Sequence, residues 1–315
     1  MQHPRKIIID TDPGQDDAFA ILLALASPAE IEVLGITCVA GNVPLALTTR
    51  NARIICELAG RADMGVFAGA DRPLVRKLVT AEHVHGKTGL DGPVMEQPTM
   101  AMQSQHAVDF IIETVRREAA GTVTLCPSGP LTNIASAFEK APDIIARIQQ
   151  IVLMGGGYFQ GGNITPAAEF NIYVDPQAAD IVFRSGIDLV VMPLDVTHQV
   201  LTTKARVAAF RALNTKVGHA AADWADFFER FDVAKYGSDG GPLHDPCVIA
   251  YLLQPGLFTG RQINVEIEVR SELTMGMTVA DWWGVSGRKP NAMFVGGVDP
   301  DGFFALLTDR LGWFQ

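Results

Sequence analysis

Residues 6–17 read Lys6-Ile7-Ile8-Ile9-Asp10-Thr11-Asp12-Pro13-Gly14-Gln15-Asp16-Asp17. Three consecutive isoleucines specify a strand buried on both faces. Pro13 and Gly14 end it in a turn. The unbroken apolar run at residues 18–26 then reads as a buried helix. Four aspartates fall within eight residues at this strand end, and carboxylates crowded in this way repel one another unless something compensates. Amides at the start of the following helix can accept one or two of them. The rest call for a cation. Ligation by oxygen alone, rich in carboxylate, points to a hard ion, Ca²⁺ or Mg²⁺, rather than zinc.

Outward from this turn, apolar strand-like runs alternate with helical stretches. Strands are expected at residues 31–39, 65–67, 122–126, 151–154 and 189–192, with helices at 48–59, 106–118, 131–139 and 176–185. The alternation predicts an α/β fold: one open, mostly parallel sheet flanked by helices, in a single domain spanning 1–315. Farther on, the pattern predicts one long helix over 203–230 and a polar, glycine-bearing loop over 231–241. A buried helix at 246–253, an antiparallel or edge strand at 264–270 and a short strand at 292–295 follow. In an open α/β sheet the ligand crevice lies beyond the carboxyl ends of the strands. The turns at residues 10–17, Gly41-Asn42, Ser128 and 154–163 all follow strands, so they should meet at one edge.

The 315 residues are 48% hydrophobic and 19% charged, which specifies a sizeable core and excludes disorder. The net charge of −10 argues against nucleic acid or an anionic membrane as partner, because phosphate recognition needs a basic surface. A small neutral or cationic ligand fits better. No apolar run is long enough to span a bilayer, and no signal-peptide stretch precedes the first strand. Cys38, Cys56, Cys126 and Cys247 are scattered, as expected of reduced, buried thiols in a cytoplasmic protein.

The Asp10–Asp17 turn resembles the signature of the inosine-uridine-preferring nucleoside hydrolases. Seven blocks follow in the order of that family: Gly41-Asn42, His85-Gly86, Pro127-Ser128-Gly129-Pro130-Leu131-Thr132-Asn133, Met154-Gly155-Gly156, Asn163, Ala168-Glu169-Phe170-Asn171 and His244-Asp245-Pro246. Together they span roughly residues 5 to 250. The resemblance implies a Rossmann-like nucleoside hydrolase fold and hydrolysis of the N-glycosidic bond of ribonucleosides to free base and ribose. It implies Ca²⁺ held by Asp12, Asp17, the Ser128 carbonyl and Asp245, a ligand set chemically suited to that ion. Asp12 would activate the attacking water and His244 would assist the leaving base. The ribose would meet Asp16, Asn42 and Asn171, its 5′ end Asn163 and Glu169, with Met154 near the sugar. His85 and Tyr236 would stand over the base. A homodimer or homotetramer is the assembly implied.

Other readings compete. An Asp-x-Asp pair after the first strand also occurs in Mg²⁺-dependent phosphatases of the haloacid dehalogenase type, though Pro13 and Gly14 differ from that context. A non-catalytic nucleoside- or ribose-binding module would not need both Asp12 and His244. His83 and His85 invite a zinc pair but lack a third soft ligand. No Gly-x-Gly-x-x-Gly follows the first strand, which removes support for a dinucleotide. Trp282-Trp283 could form a base platform or simply pack, and His198 is ambiguous. Asp10 could orient the turn or meet substrate. The chain departs from the family at Phe228 and Asp232, where Tyr, Thr or Gln usually select the base. An acidic Asp232 there would favour a base edge that donates hydrogen bonds.

Overall fold

The computed structural model describes residues 3–314. Its strands are β1 (Arg5–Thr11), β2 (Ile31–Cys38), β3 (Val66–Ala68), β4 (Val123–Pro127), β5 (Ile148–Met154), β6 (Leu189–Met192), β7 (Leu201–Thr202), β8 (Gly241–Pro242), β9 (Phe258–Ile263), β10 (Val265–Ile267), β11 (Thr278–Ala280) and β12 (Ala292–Val298). Eight of them form one sheet in the order β3-β2-β1-β4-β5-β6-β12-β9. All neighbours run parallel except β9, which is antiparallel to β12 at the edge.

The isoleucine run sits at the centre of this sheet, and its period-two alternation splits the core into two layers. Ile7 and Ile9 face the layer holding Phe19, Leu22, Phe210 and Trp224, while Ile8 faces Phe110, Ile134, Phe138 and Val182 on the other side. All three isoleucines are fully buried, each worth about 1.5–3 kcal/mol relative to exposure. That burial on both faces fixes the register of β1 and hence where its terminal aspartates point.

Strand order reverses between β1 and β4, and there the ends of β1, β4, β5 and β6 open on a common crevice. This is the single-sheet, mostly parallel fold expected from the pattern. Two expectations fail in the C-terminal third, and one holds in a different place in the fold. The long helix over 203–230 is two helices, Lys204–Ala212 and Lys216–Tyr236, separated at Asn214 (φ 54) and restarted by Thr215, whose hydroxyl accepts from the Gly218 amide at 3.0 Å. The loop expected over 231–241 is helical up to Tyr236 and stops only at Gly237 (φ 66). Its mixed composition hid a helical face, on which Phe228 and Asp232 are buried against the crevice. The antiparallel edge strand is β9, whose residues 259–262 are exposed and carry no apolar alternation. The antiparallel strand expected over 264–270 forms at residues 265–267, but it pairs with β11 in a separate small sheet. Among the described residues, no helix is long and apolar enough to cross a membrane.

Candidate active site

The floor of the crevice is built from the turn after β1. Asp17 opens the helix Gln15–Leu25 and accepts from the Gly14 amide at 2.9 Å, the Ser128 hydroxyl at 2.9 Å, the Asn42 side-chain amide at 3.3 Å and the Thr11 hydroxyl. Asp12 accepts from the Asn42 backbone amide at 2.7 Å through Oδ2, while its buried Oδ1 has no partner. Glycine is required on both sides of that carboxylate. A Cβ at Gly41 would stand 2.0 Å from Oδ2, and one at Gly129 2.5 Å from Oδ1. Asp10 points the other way: Thr37 and Asn133 donate to it at 2.6 and 2.8 Å. It therefore props the turn, and it does not line the cavity.

Asp16, Asp17 and Asp245 bring carboxylate oxygens within 4.8 Å of one another. The trio includes Asp16, expected on the ribose, and omits Asp12, expected among the metal ligands; Asp12 stands beside it. Burial pushes all four carboxyls up, and repulsion from neighbouring aspartates lifts Asp12, Asp16 and Asp245 further. Asp12 and Asp245 rise well above the ordinary range and Asp16 reaches about 8. Asp16 Oδ1, like Asp12 Oδ1, is buried without a partner. An oxygen-only set with surplus negative charge and orphaned acceptors fits a hard divalent cation. The Ser128 carbonyl, also expected as a ligand, accepts from the Asn171 side-chain amide at 2.8 Å.

Above the floor, Asn42, Ser128, Met154 and Asn171 line one side of the cavity. Glu169 caps the short helix Phe170–Val174, accepting from Asn171 at 3.0 Å, Ile172 at 3.2 Å and Gly156 at 3.0 Å. Burial lifts its carboxyl to about 7 despite these donors. Asn163 accepts from the Phe170 amide at 2.8 Å, and Lys235 donates to its carbonyl at 2.9 Å. The space between these walls, counted out to the open mouth, is about 680 Å³.

The opposite side carries rings. His85 Nδ1 lies 2.8 Å from Gln15 Oε1, and Gln15 Nε2 donates back to the His85 carbonyl at 2.9 Å. Burial pushes His85 down to about 3, so it is neutral. His244 Nδ1 lies 2.7 Å from Thr197 Oγ1, and burial, then His198 and His85, hold its imidazole well below its ordinary value. Phe228 stands between them, 5.3 Å from the His85 ring and 6.4 Å from His244. Tyr236 is half exposed at the rim, 5.8 Å from His198. His198, ambiguous in sequence, lines the cavity.

Thus every residue expected to touch substrate, namely Asp16, Asn42, His85, Met154, Asn163, Glu169, Asn171, Tyr236 and His244, borders one cavity. Trp282 instead packs on Phe159 and Phe294, and Trp283 is exposed, so neither is a base platform. The His83–His85 zinc pair is not built, since His83 is exposed and His85 is tied to Gln15. Thr197 and Gln15, which hold the two histidines, escaped the sequence reading. The strand-end logic that finds Ser128 also reaches Thr197, just past β6, but nothing in the local pattern marks its partner.

The profile of the family described as inosine-uridine preferring nucleoside hydrolase matches residues 7–305. An uncharacterized protein of Schizosaccharomyces pombe is 55% identical over 307 residues, covering 98% of this chain and 99% of that protein. The pyrimidine-specific ribonucleoside hydrolase RihA of Escherichia coli (strain K12) is 47% identical over 309 residues, covering 98% of each. Among solved structures, a purine-preferring ribonucleoside hydrolase from Gardnerella vaginalis superposes with a TM-score of 0.91 at 36% identity, over 98% of both chains. A plant nucleoside hydrolase gives 0.89 at 34% identity, over 98% of this chain and 99% of that one. The chain belongs to the inosine-uridine preferring nucleoside hydrolase family and is a ribonucleoside hydrolase.

Proposed function

We propose that this enzyme hydrolyses the N-glycosidic bond of ribonucleosides in a Ca²⁺-dependent reaction, with Asp12 as general base and His244 as general acid. The observation that carries the proposal is the convergence of Asp16, Asp17 and Asp245 beneath a cavity walled by histidines and aromatic rings. Asp12, Asp17, Asp245 and the Ser128 carbonyl would hold the ion, with Asp16 close enough to join them or to meet a ribose hydroxyl. When bound, Ca²⁺ offsets the carboxylate charge and makes a neighbouring water more acidic.

The chain's own groups do the rest. Asn42, Asn171 and Asp16 hold the ribose hydroxyls, with Asn163 and Glu169 at the 5′ end and Met154 against the sugar. Asp12 takes a proton from water through its free Oδ1 as that water attacks the anomeric carbon. The C1′–N bond breaks, and buried carboxylates stabilise the oxocarbenium-like sugar. His244, its Nδ1 held by Thr197, offers the departing nitrogen a proton or a strong hydrogen bond through Nε2. His85 and Tyr236 border the base. Water is consumed, and free base and ribose leave.

Four buried, free cysteines fit a reducing, cytoplasmic setting. Exposed Phe159, Trp283 and Val285 offer apolar surface for a homodimer or homotetramer. The test is ribose release from a panel of ribonucleosides. Release should be abolished by a chelator and restored by Ca²⁺. No release from any common ribonucleoside at saturating Ca²⁺ overturns the reading.

A further inference from the structure

The short helix Leu194–Thr197 follows β6 and carries two side chains that each hold another segment. Thr197 holds His244, as described above. Asp195 holds a loop. Its carboxylate is 7% exposed and does not line the cavity. The backbone amides of three successive residues converge on it: Tyr158 donates to Oδ2 at 2.8 Å, Phe159 and Gln160 to Oδ1 at 2.6 and 3.1 Å. The Leu194 amide adds a fourth bond, donating to the Gly156 carbonyl at 2.9 Å.

This loop has little else to fix it. Five of the eight residues 155–162 are glycine, the residue that loses most conformational freedom on folding. Phe159 and Gln160 are exposed, so burial does not anchor them. Among the described residues, Asp195 is the one side chain that accepts from the amides of residues 157–162. Bonds from amides to an ionised carboxylate are stronger than bonds between neutral groups. The loop runs from Met154 to Asn163, both of which line the cavity. Its Gly156 amide also donates to Glu169 Oε2 at 3.0 Å. The loop thus sets where both residues assigned to the 5′ end of the ribose stand.

We propose that Asp195 is a positioning residue: by clamping the glycine-rich loop it places Asn163 and Glu169 for the 5′-hydroxyl, without touching substrate itself. This rests on the ribonucleoside hydrolase reading. One short helix then serves both ends of the substrate, the leaving base through Thr197 and His244 and the 5′ end through Asp195 and the loop. Displacing a positioned group by about 1 Å can cost about 10²-fold in rate, so a released loop should forfeit most of what the 5′-hydroxyl contributes.

The test measures kcat/KM, with Ca²⁺ present, for a ribonucleoside that the wild type hydrolyses, for its 5′-deoxy counterpart and for p-nitrophenyl riboside. The wild type should favour the nucleoside over its 5′-deoxy form by about ten- to hundredfold, as hydrogen bonds to a charged group allow. Asp195→Ala should bring that ratio to near one by slowing the 5′-hydroxyl substrate far more than the other. p-Nitrophenyl riboside, which keeps the 5′-hydroxyl, should lose as much as the nucleoside, whereas a change at Thr197 follows the leaving group instead. Asp195→Asn, which keeps one carbonyl acceptor, should fall between, and it carries the test if Asp195→Ala does not fold. A merely structural role would lower both nucleosides alike and leave the ratio at the wild-type value, and that result overturns the proposal. So does a wild type indifferent to the 5′-hydroxyl. No hydrolysis of any common ribonucleoside by the wild type would refute the hydrolase reading itself, a different outcome from hydrolysis without 5′ discrimination.

Discussion

On the floor of the crevice, Asp17 alone collects donors from Thr11, Gly14, Asn42 and Ser128. On the helical wall opposite, Asp232 accepts from no other residue among those described, and its own backbone amide is its donor. The floor is assembled from strand ends far apart in the chain, each holding another, so that a change at one position disturbs several. The wall is one face of one helix, whose buried Phe228 packs on the His85 and His244 rings. The contrast separates two tasks. A rigid, over-connected floor suits the bond-breaking chemistry, which tolerates little displacement. A wall of aromatic rings suits a flat ligand.

The floor should be the more fragile of the two. Asp12→Ala should lower kcat by at least about 10³-fold while the protein stays folded by circular dichroism. Turnover near that of the wild type would contradict its role as base.

Where floor meets wall, His244→Ala should cost natural nucleosides about 10²- to 10⁴-fold. Hydrolysis of p-nitrophenyl riboside, whose leaving group needs no proton, should fall by less than about tenfold. Thr197→Val should show the same split in weaker form, and Thr197→Ser should restore it. Equal losses on both substrates would reject the acid role and, with it, the purpose of the Thr197 contact.

The smallest effect concerns stability. Folded Asp16 is raised to about 8 and Asp10 and Glu169 to about 7, all above unfolded values near 4. The folded state therefore binds these protons more tightly. Its stabilisation by them is complete at low pH and is lost as pH rises through 7 to 8. His85 has the opposite sign, depressed in the fold, and its contribution is lost as pH falls below about 6.5. Ca²⁺ competes with the floor protons and leaves the His85 contribution untouched. The Tm increment produced by Ca²⁺ over chelator should thus grow from pH 5 to pH 8, reaching several degrees. An increment that is flat, or larger at pH 5, would show that the carboxylates are not where the ion binds.

Much of the fold was legible because burial on both faces leaves a continuous apolar signal, as at Ile7-Ile8-Ile9. The edge strand β9 was not, since residues 259–262 face solvent and its pairing with β12 comes from backbone hydrogen bonds that any sequence can make. Residues 231–236 read as loop because they belong to a polar, glycine-bearing stretch that runs to residue 241. The helix persists there because Phe228 and Asp232 turn to the cavity, while Gly237 provides the left-handed stop.

The sequence by itself determined the strand–turn–helix with its four aspartates, the ordered motif blocks, and through them the family and the demand for a hard cation. These are local or compositional facts, set by spacing and residue type. Only the tertiary structure decided that Asp10 is tied off behind the turn by Thr37 and Asn133, and that Asp16 joins Asp17 and Asp245. It alone joined Thr197 to His244 and brought Asp232 to the cavity. Those outcomes depend on partners tens to hundreds of residues away, and which partner a carboxylate meets is set by how the two core layers pack against β1, not by the residues beside it in the chain.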